Sequence, residues 1–110
     1  MNWVLVTEFP LSLVFAENGM LEMELEGRKI TLAKWEQGYY AFAQKCPHAS
    51  GRMASGYINP KGQVVCPLHR YAFDLVNGRN TTGEGYFLKT YPVEQRPEGI
   101  FIGFKPNSFF

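Results

Sequence analysis

A chain of 110 residues with no Ser/Gly-rich linker and no shift in composition suits one domain with a modest core, and residues 1–110 are expected to form it. Hydrophobic residues at 45%, charged residues at 19% and a net charge of +1 fit a folded globular protein and leave no large basic surface, which argues against a nucleic-acid partner. No run approaches the ~18 apolar residues of a membrane span, and the apolar stretch at 3–6 lacks a basic flank and a cleavage-type site, so a soluble cytoplasmic protein with no membrane partner is expected.

Residues 10–15 are the one weak helix candidate and read equally well as a loop. Turn signals then recur at short intervals: Asn18-Gly19, Glu26-Gly27, Gln37-Gly38, Asn59-Pro60-Lys61-Gly62, Asn77-Gly78 and Pro97-Glu98-Gly99. Leu21, Met23 and Leu25 alternate with Glu22, Glu24 and Glu26, a period of two that puts carboxylates on one face and apolar groups on the other. Ile30 and Leu32 alternate with Lys29 and Thr31, so residues 21–34 predict a hairpin turning at Gly27-Arg28. A third strand at 39–43 runs toward Cys46, a short one at 63–65 runs toward Cys66, and strands at 89–93 and 100–104 close the set. The predicted fold class is all-β, a small antiparallel sandwich or barrel with loops projecting from one end.

Both cysteines and both histidines of the chain fall into two boxes, Cys46-Pro47-His48 and Cys66-Pro67-Leu68-His69. Each box offers one sulfur and one nitrogen, so Cys46, His48, Cys66 and His69 can clamp one inorganic centre between two loops. Zinc is the generic occupant of two Cys and two His, but its usual arrangement groups like ligands together. Mixed pairs suit a two-iron cluster in which one iron takes both cysteines and the other both histidines. Isolated thiols and imidazoles are ordinarily core and surface groups. That reading does not explain why all four sit in paired boxes, each with a proline after its cysteine. Pro47 and Pro67 restrict the backbone and leave neighbouring N–H groups free to aim at sulfur. With both cysteines committed to metal none remains for a disulfide, in keeping with a reducing compartment.

The two boxes resemble those of the Rieske iron–sulfur proteins. The similarity continues through Phe73-Asp74 and Gly78, which look like the Phe-Asp-x-x-x-Gly continuation of the second box, and through residues 89–93, similar to the strand after the cluster-covering loop. The resemblance implies a [2Fe-2S] cluster on Cys46, His48, Cys66 and His69, with the imidazoles facing outward. It also implies a one-electron carrier between a flavin-dependent reductase and a terminal oxygenase. The same branch includes small subunits of nitrite-reductase-like assemblies, whose partner would be the large subunit. A zinc-stabilised binding module is the reading from a different class. Activity as an enzyme is not expected: a Rieske oxygenase needs a further mononuclear iron, normally with two His and a carboxylate, and both histidines are already used. Gly83-Glu84-Gly85 is too short to be a phosphate loop.

Departures from the family pattern carry further expectations. High-potential relatives in respiratory complexes have an extra cysteine in each box, forming a disulfide; the matching residues here are Gly51 and Leu68. Their serine and tyrosine hydroxyls near the cluster correspond to Tyr71 and Phe73. Fewer hydrogen bonds to sulfur lower the potential, which places this chain in the soluble, low-potential branch. Arg70 stands where the family usually has Gly, a strained choice if φ is positive there; it is read as tuning the potential, meeting an acidic partner, or simply lying on the surface. Residues 78–88 form a third loop, whose Tyr86 and Phe87 either cover the cluster or join the core. The expected docking surface comprises Pro47, Ala49, Ser50, Leu68 and Phe87.

Overall fold

The computed structural model describes residues 1–8, 13–48, 51–83 and 85–105. Its strands are β1 (Asn2–Glu8), β2 (Met20–Leu25), β3 (Arg28–Trp35), β4 (Gly38–Ala43), β5 (Tyr57–Ile58), β6 (Gln63–Val65), β7 (Ala72–Asp74), β8 (Thr90–Tyr91), β9 (Val93–Arg96) and β10 (Gly99–Phe104), with a 3₁₀ turn at Met53–Ser55. All pairings between strands are antiparallel. A central sheet, ordered β2-β3-β4-β8, carries β1-β10-β9 on one face and β5-β6-β7 on the other. The predicted all-β class holds, and among the described residues there is no α-helix. The helix candidate at 10–15 falls partly outside the described residues; 13–15 have no regular structure, and Phe15 packs on Tyr39 with ring centroids 6.1 Å apart.

The first hairpin forms where the alternating pattern places it. Leu25 pairs with Arg28 across Glu26-Gly27, whose φ angles of 52° and 75° describe the mirror-image turn that matches strand twist, so the turn lies one residue earlier than predicted. The simple alternation fails in β3. Ile30 and Leu32 pack with Ala41, Ile102 and Phe104 against the first sheet, while Ala33 faces the opposite way with Met20, Phe42, Val64 and Phe73. Thr31, expected on a polar face, is 0% exposed and donates its hydroxyl to the Ala43 carbonyl at 3.4 Å. A strand in the middle of three layers is buried on both sides, so the period of two disappears.

Two other expectations change. The single strand predicted at 89–93 is two strands, β8 in the central sheet and β9 in the outer one. Pro92 stands between them, and without an N–H it cannot continue the ladder; its carbonyl instead accepts a hydrogen bond from Gly103 at 2.9 Å. The apolar stretch at 3–6 belongs to β1, which pairs along β10 from Asn2 opposite Phe104 to Glu8 opposite Gly99.

The site is mounted on the third sheet. β4 leads into the first ligand loop, which returns through the 3₁₀ turn to β5, and the second ligand loop joins β6 to β7. The chains of the two loops touch at Gly56, where an added Cβ would stand 1.8 Å from the Val65 carbonyl oxygen. The demand at Gly56 is for space. Gly56→Ala should therefore lower stability by about 1–3 kcal/mol, as overpacking does. Equilibrium denaturation checks this, and an unchanged midpoint would show that the loops are not held by this contact.

Candidate metal centre

The two ligand loops are built alike. Cys46 N–H donates to the Gly51 carbonyl at 2.7 Å, and Cys66 N–H donates to the Tyr71 carbonyl at 2.8 Å, in each case five residues further on. The first loop is bracketed by the bridge between Lys45 and Arg52, the second by the pairing of Val65 with Ala72. Each cysteine thus sits at the base of a loop, buried to 2% exposure at Cys46 and 0% at Cys66, while its histidine lies nearer the tip.

The four predicted ligands come together as two pairs. Cys46 and Cys66 are both buried in the same core cluster, at the bases of the two loops. Burial pushes the Cys66 thiol up to about 11; a backbone N–H from Leu68 to the sulfur opposes the rise and the Cys46 thiol adds to it. A bound cation would reverse this balance and hold the sulfur as thiolate. The imidazoles of His48 and His69 stand edge to face with centroids 4.9 Å apart. The Nδ1 of His48 is buried without a hydrogen-bond partner, an arrangement that costs free energy unless the lone pair serves as a metal ligand.

This donor set fits a two-iron cluster. A sulfur pair and a nitrogen pair are the donors that the two irons of a mixed-ligand cluster would take.

The two histidines differ in exposure. His69 is exposed, whereas His48 is half-buried. The Tyr71 ring lies 3.9 Å from the His48 ring at an interplanar angle of 31°, and Tyr86 meets His48 edge-on at 5.6 Å. Of the two aromatics in the third loop, Tyr86 therefore provides cover, while Phe87 is 67% exposed and joins no core. Phe73 is wholly buried in the core. Arg70 and His69 have φ of 56° and 61°, so the position usually held by Gly does require the left-handed region. A non-glycine residue there costs about 1 kcal/mol or more. Gly51 lies beneath Leu68, since a Cβ on it would be 3.0 Å from Leu68 Cδ1 and 3.3 Å from Cys66 Sγ. Ala49 and Ser50 of the expected docking surface lie outside the described residues; Pro47, Leu68 and Phe87 are exposed.

Several supporting residues were not singled out from sequence. Asn18, read only as a turn residue, donates its side-chain amide to the carbonyls of Ala54 (2.7 Å) and Gly56 (3.1 Å), tying the approach to β2 to the back of the first ligand loop. The Gln44 amide reaches the carbonyls of Met23 (3.0 Å) and Ile30 (3.3 Å). Glu22, placed on a solvent face by the alternation, accepts from Arg52 at the end of the same loop through both oxygens. Asn-Gly was the only legible signal, and it pointed to the turn rather than to the side chain's partners.

A small all-β scaffold that offers a thiol pair and an imidazole pair on two matching loops has the form of an iron–sulfur electron carrier. The model of the Rieske [2Fe-2S] domain matches residues 3–92, and the chain belongs to that family. It is 34% identical over 79 residues to the ferredoxin component of the naphthalene 1,2-dioxygenase system of Pseudomonas putida, covering 71% of this chain and 75% of that one. The fold is similar to that of the ferredoxin of carbazole 1,9a-dioxygenase from Nocardioides aromaticivorans IC177, with a TM-score of 0.78, 20% identity, and coverage of 96% of this chain and 100% of the other. A putative NADH-dependent nitrite reductase small subunit from Mycobacterium tuberculosis gives a TM-score of 0.76 at 21% identity over 92% and 93% of the two chains. At these identities the two structures speak for the fold. The family carries a [2Fe-2S] cluster, and the protein is an electron carrier, a component of an oxidoreductase system.

The stacking of Tyr71 on His48 makes a prediction about cluster protection. Tyr71→Ala should bleach several-fold faster in the visible spectrum under aerobic chelator challenge, and Tyr71→Phe, which keeps the ring, should behave as the parent protein does. Equal rates for all three would show that the ring does not shield the centre.

Proposed function

We propose that Cys46 and Cys66 hold one iron and His48 and His69 the other, within a single Rieske domain spanning residues 1–110. In this reading the protein passes single electrons from a flavin-dependent reductase to a terminal ring-hydroxylating oxygenase in the cytoplasm. The observation that carries the ligand assignment is the pairing itself: two buried cysteines at the bases of matching loops, two imidazoles edge to face, and a buried His48 Nδ1 with no other partner. The partners follow from the likeness to a ferredoxin component of a dioxygenase system. Among the described residues no helix is long and apolar enough to cross a membrane.

The cluster, when bound, supplies a site that gains and loses one electron at a potential above that of an all-cysteine cluster. The residues of the chain do the rest. Cys46 and Cys66 keep their sulfurs out of water at the loop bases, Leu68 N–H stabilises negative charge on Cys66, and His69 brings a ring to the surface where a partner can approach. Pro47, Leu68 and Phe87 present an apolar rim suited to a brief, fast-dissociating encounter.

A low reduction potential is part of the proposal. Leu68 covers Gly51 where a disulfide would stand in high-potential relatives, and Phe73 has no hydroxyl to donate. The potential should lie at the lower end of the Rieske range, roughly −150 mV. A value well above zero by redox titration would overturn this assignment.

A nitrite-reductase-like small subunit is the second reading, favoured by the structural likeness to such a subunit. Oxidation of the reduced protein by a ring-hydroxylating oxygenase, and not by a nitrite reductase large subunit, would decide for the first. The cluster has its own test: the purified protein should be red-brown, contain iron and sulfide in equal amounts, and give a rhombic electron paramagnetic resonance signal after reduction. His69→Cys should retain an altered cluster while partner turnover falls. A colourless protein with one bound zinc would make it a binding module instead.

A further inference from the structure

We propose that Arg70 is the charge-recognition residue of the electron-exchange face, engaging a carboxylate of an acidic redox partner beside His69. The proposal rests on the reading of the protein as a partner-dependent carrier. His69 and Arg70 occupy consecutive left-handed positions at the tip of the second ligand loop, with φ of 61° and 56°. The strain at His69 accompanies a proposed iron ligand. No such duty explains Arg70, and backbone strain retained at a surface position points to a role for the side chain.

Nothing inside the described residues engages that side chain. Arg28 lies over the Phe104 ring, Arg52 pairs with Glu22, and Arg96 pairs with Glu94. Arg70 is exposed and has no hydrogen bond, ion pair or ring contact among the described residues. A guanidinium is weakly hydrated and presents a planar fork that matches a carboxylate.

The surroundings favour a negative partner. Residues 45–52 and 66–71 contain Lys45, Arg52 and Arg70 and no carboxylate, Arg52 is already paired with Glu22, and the sequence of the third loop adds one cation, Arg79, and one carboxylate, Glu84. The whole chain has a net charge of only +1, so steering must come from local charge rather than from the overall field. Leu68, at 43% exposed, lies two residues from Arg70 and offers apolar surface beside the cation, the mixture found in transient interfaces.

The test needs no identified partner. The reduced holoprotein is mixed by stopped flow with hexacyanoferrate(III), an anionic oxidant, or with hexaammineruthenium(III), a cationic one, over a series of salt concentrations. One electron leaves the cluster and reduces one oxidant ion. The parent protein should react with the anion at a rate that falls as salt rises, and poly-L-glutamate should slow that reaction. Arg70→Gly should cut the low-salt rate with the anion by ~3-fold, speed the reaction with the cation, and abolish inhibition by polyglutamate. Arg70→Lys should keep most of the salt dependence. Release of the left-handed strain should also raise the melting temperature of Arg70→Gly by ~4 °C or more, so a slower rate cannot be put down to misfolding. A coloured Arg70→Gly protein with unchanged rates, salt slopes and polyglutamate response would overturn the assignment. A protein with no visible cluster, or one that neither oxidant oxidises, would instead overturn the carrier reading beneath it.

Discussion

Two backbone hydrogen bonds, from Cys46 to the Gly51 carbonyl and from Cys66 to the Tyr71 carbonyl, shape the whole working end of the molecule. Each closes a loop on its own cysteine, which puts sulfur at the buried base and leaves the histidine two or three residues further out. The next residue in each loop is Pro47 or Pro67, which has no N–H to compete for the closing carbonyl. The rest of the scaffold keeps these closures in register. β5-β6-β7 carries both loops, Gly56 lets their chains meet, and Asn18, Gln44 and the pairing of Glu22 with Arg52 fasten the first loop to the central sheet. A metal centre needs donors held to within a fraction of an ångström, and a three-layer sheet core provides that stiffness where free loops would not.

The same geometry makes the two histidines unequal. His48 is enclosed by Tyr71 and Tyr86, with Nδ1 turned into the protein, whereas His69 stands in the open on a strained backbone next to Arg70. An electron carrier benefits from both conditions. The enclosed side excludes water from the centre, and the open side lets a partner approach closely. Strain at residues 69 and 70 is tolerated because the loop is closed by a hydrogen bond and seated on a buried strand pair on either side.

The four candidate ligands were legible from spacing alone, because metal chemistry restricts both residue type and interval, and the chain holds no other Cys or His to confuse the pattern. Strands whose two faces meet different environments were legible too, as in β2, where Glu and apolar residues alternate. β3 was only half legible: Thr31 reads as polar in sequence and is buried because the third sheet lies over it. The division at Pro92 was written in the chain, yet its consequence, a passage from one sheet to another, depends on where the outer sheet lies.

Residue identity alone thus settles which side chains can bind metal and that the scaffold is built of short strands. It does not settle which histidine is covered, whether Tyr86 or Phe87 turns inward, or that Arg70 has no partner among the described residues. The first group follows from chemistry and local periodicity, which act over a few neighbouring residues. The second follows from packing between segments distant in sequence, such as Tyr86 against His48, and burial of that kind exists only once the three sheets have closed.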